Sequence, residues 1–459
     1  MPFSHRTRRT FESLESRCLL AADLSVEQIG DDLLISGSDL DDRVMITGGA
    51  QPGEFNVTHF SFDPNSERPV PAPQELHFEG VFGDIVVKLG RGNDELRVED
   101  AHVLGNLTID LGDGDDSIAF GGTLGNRQIY AVTSIMLPPR DETPLEVQGD
   151  LRIALGAGND NVDQSSTTVH GNERIETGSG NDDVFLHSLY GNNVIDAALS
   201  VNLGEGADLA TLSAFHVGGS AIVYDNSGDA SIVLGGNVDG SAVIKTGGGN
   251  DRIGLYARVQ GNLVVSTGVG NDEINQQRGN IAGNEVLLTG PGNDDVSLVP
   301  FVLRFDRVHI GGNLSIDLGT GIDHVDIGEI DLDGSLQVRG GGGQKNVSIS
   351  ESRDIAAIQI SLAGNSTDDV TLTGVSAGRV SIATQGGDDR LFLDRAVADD
   401  NFFASLGDGD DNLFLKTVVA AEPSFIDGGD GVDSVTMTGD APLTVELRNF
   451  EFFWDPGPF

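Results

Sequence analysis

The chain has 459 residues, with 27 Lys plus Arg against 72 Asp plus Glu, a formal net charge of −45. That sign excludes the basic footprint of a nucleic-acid binder and disfavours an anionic membrane surface, while it invites cations. The single cysteine, Cys18, excludes an intrachain disulfide and a cysteine-based zinc site, and no apolar run approaches the ~20 residues of a membrane span.

Residues 1–23 stand apart from the rest. They open on the chain's dense basic cluster, His5, Arg6, Arg8 and Arg9, and end at Ala21-Ala22. A basic start and small residues at the end suggest an export signal, yet the apolar part is short and broken by Glu12, Glu15 and Arg17. Residues 24–85 are expected to form an N-terminal cap and an irregular first coil, with a Pro-rich loop inside Gln51 to Glu79. Residues 438–459 are rich in aromatics. Phe450, Phe452, Phe453 and Trp454 are expected to close the C-terminal end, or else to present a patch to a partner.

Between these ends, over residues 86–437, one motif recurs: Gly-x-Gly-Asn/Asp-Asp-x-Val/Ile/Leu-x-Leu. With its first Gly as position zero, clear copies start at Gly90, Gly112, Gly156, Gly178, Gly204, Gly247, Gly268, Gly290, Gly319, Gly341, Gly407 and Gly429. Weaker copies fit at Ser38, Asn226, Gly364 and Gln385. Most intervals are 21, 22 or 23 residues, which marks a repeat architecture. Longer intervals after Ser38, Gly178 and Gly290 mark insertions. The 44 residues from Gly112 to Gly156 equal two periods, so Ile129 to Glu146 could supply one irregular coil.

Apolar residues hold fixed places in this register. Position −3 carries Val87, Ile109, Ile153 and Ile175; +6 carries Leu96, Ile118, Val162 and Val184; +8 carries Val98, Phe120 and Leu186; −9 carries Val103, Val147 and Val169. Alternation between +6 and +8 is that of a half-buried strand, and glycines near −7 and zero mark corners. The reading is an all-β, right-handed parallel β-helix, a β-solenoid with about 22 residues and three short strands per coil. About 16 coils at ~4.8 Å give a rod of roughly 75–80 Å.

Position +4 is acidic in nearly every copy, from Asp42 through Asp433, with Ala230 and Lys345 as the exceptions. Position +3 is usually Asn or Asp. Stacking sets these carboxylates about 5 Å apart, where like charges repel by roughly 0.8 kcal/mol per pair in water and by more away from it. Two compensations are open: turn N–H groups bonded to each Asp, as in Asx turns, or calcium held by carboxylate and carbonyl oxygens.

The motif resembles the hemolysin-type (RTX) calcium-binding nonapeptide, G-G-x-G-x-D-x-U-x, over most of residues 86 to 437. The resemblance implies calcium between successive coils, with Asp94, Asp116, Asp160, Asp182, Asp251, Asp272, Asp294, Asp389 and Asp411 at the family's ligand position. This chain departs from the pattern in two ways. Its motif occurs once per 22 residues rather than in tandem, and the family's first Gly is often Leu or Thr. At the N-terminus, Leu14-Glu15-Ser16-Arg17-Cys18-Leu19-Leu20 resembles the LEPR-XLL element of bacterial surface and secreted proteins, with Ser16 in place of Pro. That resemblance implies export to the bacterial surface or medium.

The expected function is therefore a non-enzymatic, exported β-solenoid with a structural, adhesive or cell-surface and matrix role, stabilised by calcium and meeting cell-surface glycans or matrix proteins. The alternative is a β-helical polysaccharide lyase or hydrolase acting on acidic glycans. Its candidate residues are Arg304, Asp306, Arg307 and His309 at one insertion and Arg140, Asp141 and Glu142 at another. No HExxH spacing points to a zinc hydrolase.

Overall fold

The computed structural model describes residues 17–20, 24–60, 73–121, 144–187, 193–300, 307–438 and 444–454. Every regular element among them is a β-strand, and they stack as a parallel β-solenoid of about 15 turns.

The first strands are β1 (Arg17–Leu20), β2 (Leu24–Ile29), β3 (Asp32–Ser36), β4 (Arg43–Gly48), β5 (Phe55–His59) and β6 (Gln74–Phe78). Next come β7 (Ile85–Arg91), β8 (Glu95–Glu99), β9 (Ala101–Val103) and β10 (Leu107–Asp113). The first coil is β3 with β4, which pair in parallel with β7 and β8 one coil later. Their outer edges are covered by antiparallel strands: β2, itself paired with β1, on β3, and the β5–β6 hairpin on β4. A parallel stack exposes unpaired N–H and C=O groups at its end, and these antiparallel strands take them up.

A regular coil consists of three strands, for example Asn161–Gln164, Thr167–Val169 and Glu173–Glu176. The apolar rows stack in register. Ile109 lies between Val87 and Ile153, Ile118 between Leu96 and Val162, and Val147 between Val103 and Val169. All nine are buried, and each contributes on the order of 1.5–3 kcal/mol. The strands form a 20-stranded and a 27-stranded sheet. The larger one covers two faces of the coil, because Leu209–Val217 and Ser231–Val238 run unbroken around the corner between them. The sharp turns lie at the other two corners.

Two details of the register differ from the sequence reading. Leu107–Asp110 pairs directly with Leu151–Ala154, and Ser117–Phe120 with Asn161–Gln164. The interval from Gly112 to Gly156 is thus one coil plus an insertion rather than two periods, and residues 122–143 lie outside the described part. Near Gly364 the −3 row is held by Ile360, between Val338 and Ile382, so one extra residue precedes that turn.

At the C-terminal end, Glu446–Arg448 and Phe452–Trp454 add a last pair of parallel strands. Phe450 packs against the core, whereas Phe452 and Phe453 are each 61% exposed. The aromatics therefore divide between closing the core and facing outward.

Candidate cation-binding edge

The repeated turn is shaped first by its glycines. Gly112 and Gly114 have φ of +98° and +150°. A Cβ on them would lie 1.5 Å from the Gly90 carbonyl oxygen and 1.6 Å from that of Gly92. In these turns successive coils stack so closely that the glycines leave no room for a side chain, whereas the weaker copies carry Ser38, Asn226 and Gln385 at position 0.

In most coils the N–H groups at +3 and +4 are met at this corner by side chains of neighbouring coils. Asn93 Oδ1 accepts the N–H of Asp115 at 2.9 Å, and Asp115 Oδ1 accepts that of Asn159 at 2.7 Å. The +4 side chains reach the opposite way. Asp94 Oδ1 accepts the N–H of Asp42, Asp116 that of Asp94, Asp160 that of Asp116, and Asp182 that of Asp160, all at 2.7–2.9 Å. The same bond is made by Asp251, Asp272, Asp294, Asp389 and Asp411. All nine sequence-predicted ligands thus fall in one column. They are at most 2% exposed, on the inner side of the turn, while the +3 residues form the outer row.

The N–H ladder uses one oxygen of each carboxylate. Oδ2 of Asp94, Asp116, Asp160 and Asp411 is buried with no hydrogen-bond partner, and so is Oδ2 of Asp272. The −1 neighbour on the same inner corner is Leu in the first four of these coils: Leu89, Leu111, Leu155 and Leu406, all buried. In the coils of Asp182, Asp251, Asp272, Asp294 and Asp389 it is Thr. Thr246 donates its hydroxyl to Asp251 Oδ2, and Thr177, Thr289 and Thr384 stand beside Asp182, Asp294 and Asp389.

Burial outweighs the stabilising N–H bonds. It pushes Asp94, Asp160 and Asp389 up to about 7 and Asp116, Asp294 and Asp411 to about 6, and raises Asp182 and Asp251. Neighbouring carboxylates add to the rise, as Asp116 and Asp42 do for Asp94. At a spacing of ~4.8 Å and an effective dielectric of ~20, two ionised neighbours repel by about 3–4 kcal/mol.

The two exceptions at +4 are informative. In the coil where +4 is Ala230, the −1 residue is Asp225, which is 4% exposed. Its carboxyl lies against Asp208 and is pushed up to about 8, chiefly by burial, and neither of its oxygens has a donor. The carboxylate missing from one strand is supplied from the other. In the other exceptional coil the ammonium of Lys345 is buried in the turn, 3.1 Å from Asp323 Oδ2 and 2.8, 3.0 and 3.3 Å from the carbonyl oxygens of Gly321, Gly343 and Gly342.

This donor set fits calcium. It offers only carboxylate and carbonyl oxygens, it leaves carboxylate oxygens free, and a fixed positive charge already sits among such oxygens at Lys345.

Sequence reasoning missed two internal pairs. Gln164 donates to Glu173 at 3.2 Å and Gln276 to Glu285 at 3.4 Å, all inside the apolar core. Burial pushes Glu173 to about 7 and Glu285 to about 8. Gln164 and Gln276 stand at +8, where other coils have Phe120 or Leu186, and that polar break in an apolar row was the available signal.

The lyase candidates are spread differently. Arg307 lies 3.8 Å from Glu329, and His309 Nδ1 lies 3.1 Å from Asp331 on the outer face. His309, Asp331 and Asp333 bring their ligand atoms within 4.8 Å of one another, largely exposed. Arg304, Asp306, Arg140, Asp141 and Glu142 lie outside the described residues.

A comparison with protein-family models finds none that matches the chain, and a comparison with curated proteins finds no match either.

Proposed function

We propose that the protein is an exported bacterial β-solenoid, a rod with a structural or adhesive role at the cell surface or in the matrix, stiffened by calcium along its Asp-lined inner corner. One observation carries the calcium part. The column of buried Asp residues satisfies the backbone with Oδ1 and leaves Oδ2 of Asp94, Asp116, Asp160 and Asp411 without a donor. Calcium placed among these oxygens would cancel the repulsion between stacked carboxylates. Because the cradle exists only when coils are stacked, each bound ion would stabilise the fold, by about 2.7 kcal/mol at 100 times its Kd. The surface role rests on the regular rod, the strongly acidic balance and the N-terminal resemblance to exported proteins. Nucleic acid is disfavoured as a partner by charge, and no helix of the described residues is long and apolar enough to cross a membrane.

Isothermal titration of the metal-free full chain with calcium at pH 7.5 tests the reading. The expected result is several sites per chain. No binding would leave the Asp column as a hydrogen-bonding ladder alone.

A further inference from the structure

Lys345 is the one basic residue at +4 among the registered coils. Its side chain and that of Asp323 are both fully buried. The ammonium lies within 3.3 Å of four oxygens: Gly321 O, Gly342 O, Gly343 O and Asp323 Oδ2. In register these are the +2 carbonyl and +4 carboxylate of one coil and the +1 and +2 carbonyls of the next. The same groups recur at the other junctions, where +4 of the following coil is usually a second Asp.

A second change in the same coil accommodates the lysine. Position −1, Leu or Thr in most copies, is here Gly340. A Cβ on Gly340 would lie 2.8–3.0 Å from Cε, Cγ and Cδ of Lys345, so the missing side chain makes the channel for the lysine stem. The ladder is rerouted here: the N–H of Lys345 still donates to Asp368 Oδ1 at 2.7 Å, but the N–H of Asp323, with no carboxylate at 345 to accept it, donates to the Gln344 carbonyl oxygen at 3.0 Å. The charge at the corner is inverted. An ordinary junction sets two carboxylates around the cradle, a charge that suits a divalent cation. This junction sets one carboxylate against one ammonium.

We infer that Lys345 is a tethered cation: its ammonium fills, at this one junction, the oxygen cradle that the neighbouring junctions offer to a free divalent cation. The inference rests on the calcium reading for those junctions. It divides the column into a block ending at Asp323 and a block starting at Asp368, joined by a junction that stays neutral and closed when calcium is withdrawn.

The test uses the full chain, calcium as the only added ligand, and two readouts: stoichiometry by titration and melting temperature in calcium against chelator. Lys345→Asp restores the residue of the other coils. It should bind one more calcium per chain than the unmodified protein. In chelator it should melt several degrees lower, and calcium should close that gap. If Lys345→Asp does not fold, Lys345→Ala, which keeps Asp323 and the carbonyls, is measured in the same way and should show the same calcium-closed gap. An unchanged stoichiometry with a melting deficit that calcium does not repair, in whichever variant folds, overturns the inference. The calcium reading fails on a different result. An unmodified chain that binds no calcium would refute that reading, and the tethered cation, which rests on it, would fall with it. Binding by the unmodified chain with no gain in the variant would refute the tethered cation alone.

Discussion

Asp116 Oδ1 accepts the N–H of Asp94 at 2.8 Å, one coil back, while the adjacent row runs the other way, with Asn93 Oδ1 accepting the N–H of Asp115. The two opposed ladders use one side-chain oxygen per residue and leave Asp116 Oδ2 unpartnered. Replacing that oxygen alone separates its roles. Asp116→Asn keeps an acceptor for the Asp94 N–H and removes the charge. Its melting temperature in chelator at pH 8 should match or exceed that of the unmodified protein, while its calcium stoichiometry falls. Asp116→Ala leaves a buried N–H unpaired and should lose about 1–3 kcal/mol in urea unfolding. Equal losses from both variants would contradict the division of labour between the two oxygens.

The pH dependence of the metal-free protein follows from the raised carboxyls. An acid whose folded-state pKa lies above its unfolded value holds more protons when folded, so stability falls as pH rises between the two values. The unfolded values lie at about 4. The folded ones are about 6 for Asp116 and Asp294, about 7 for Asp94, Asp160 and Glu173, and about 8 for Asp225 and Glu285. In chelator the melting temperature should drop from pH 5 to pH 8. The increment given by calcium should grow over the same range, because calcium needs the ionised form. A metal-free melting temperature that rises toward pH 8 would contradict the burial of these groups.

The glycines at +2 are predicted to be irreplaceable for a reason independent of metal. Gly180 has φ +138°, and a Cβ there would lie 1.5 Å from the Gly158 carbonyl oxygen. Gly180→Ala should lose several kcal/mol in urea unfolding or fail to fold, since two coils must separate to admit it. Gly30→Ala is the control. Its site is open within 4 Å and its φ is +64°, so it should lose only about 1 kcal/mol.

Asp225 predicts a gain. It is buried without a donor at a position that is Leu203 one coil earlier. Asp225→Leu should raise stability in chelator at pH 8 by about 1 kcal/mol or more, the scale of an unpaired buried polar group. A lower melting temperature in chelator would contradict this account of the Asp208–Asp225 contact.

Much of the fold was legible because stacking imposes one residue type on one place in every coil. Gly112 and Gly114 announce the tight turn, and Ile109, Ile118 and Val147 announce the three strands. The 44-residue interval misled because a spacing of two periods carries no information on whether the intervening chain stacks. That is decided by pairing, and Leu107 pairs with Leu151. The Asp column was legible as a column, but not the division of its oxygens, which depends on which neighbouring coil each side chain reaches. Nor was the coupling of Lys345 to Gly340, or of Asp225 to Ala230, because each joins residues on opposite sides of a turn and shows only when both corners are placed together.

The free oxygens of the Asp column either hold a divalent cation or stay empty. The most direct measurement is the melting temperature of the full chain at pH 8 in calcium and in chelator. The prediction is a rise of ten degrees or more in calcium that Asp94→Asn, Asp116→Asn and Asp160→Asn together reduce. Coincident melting curves in the two conditions would contradict it.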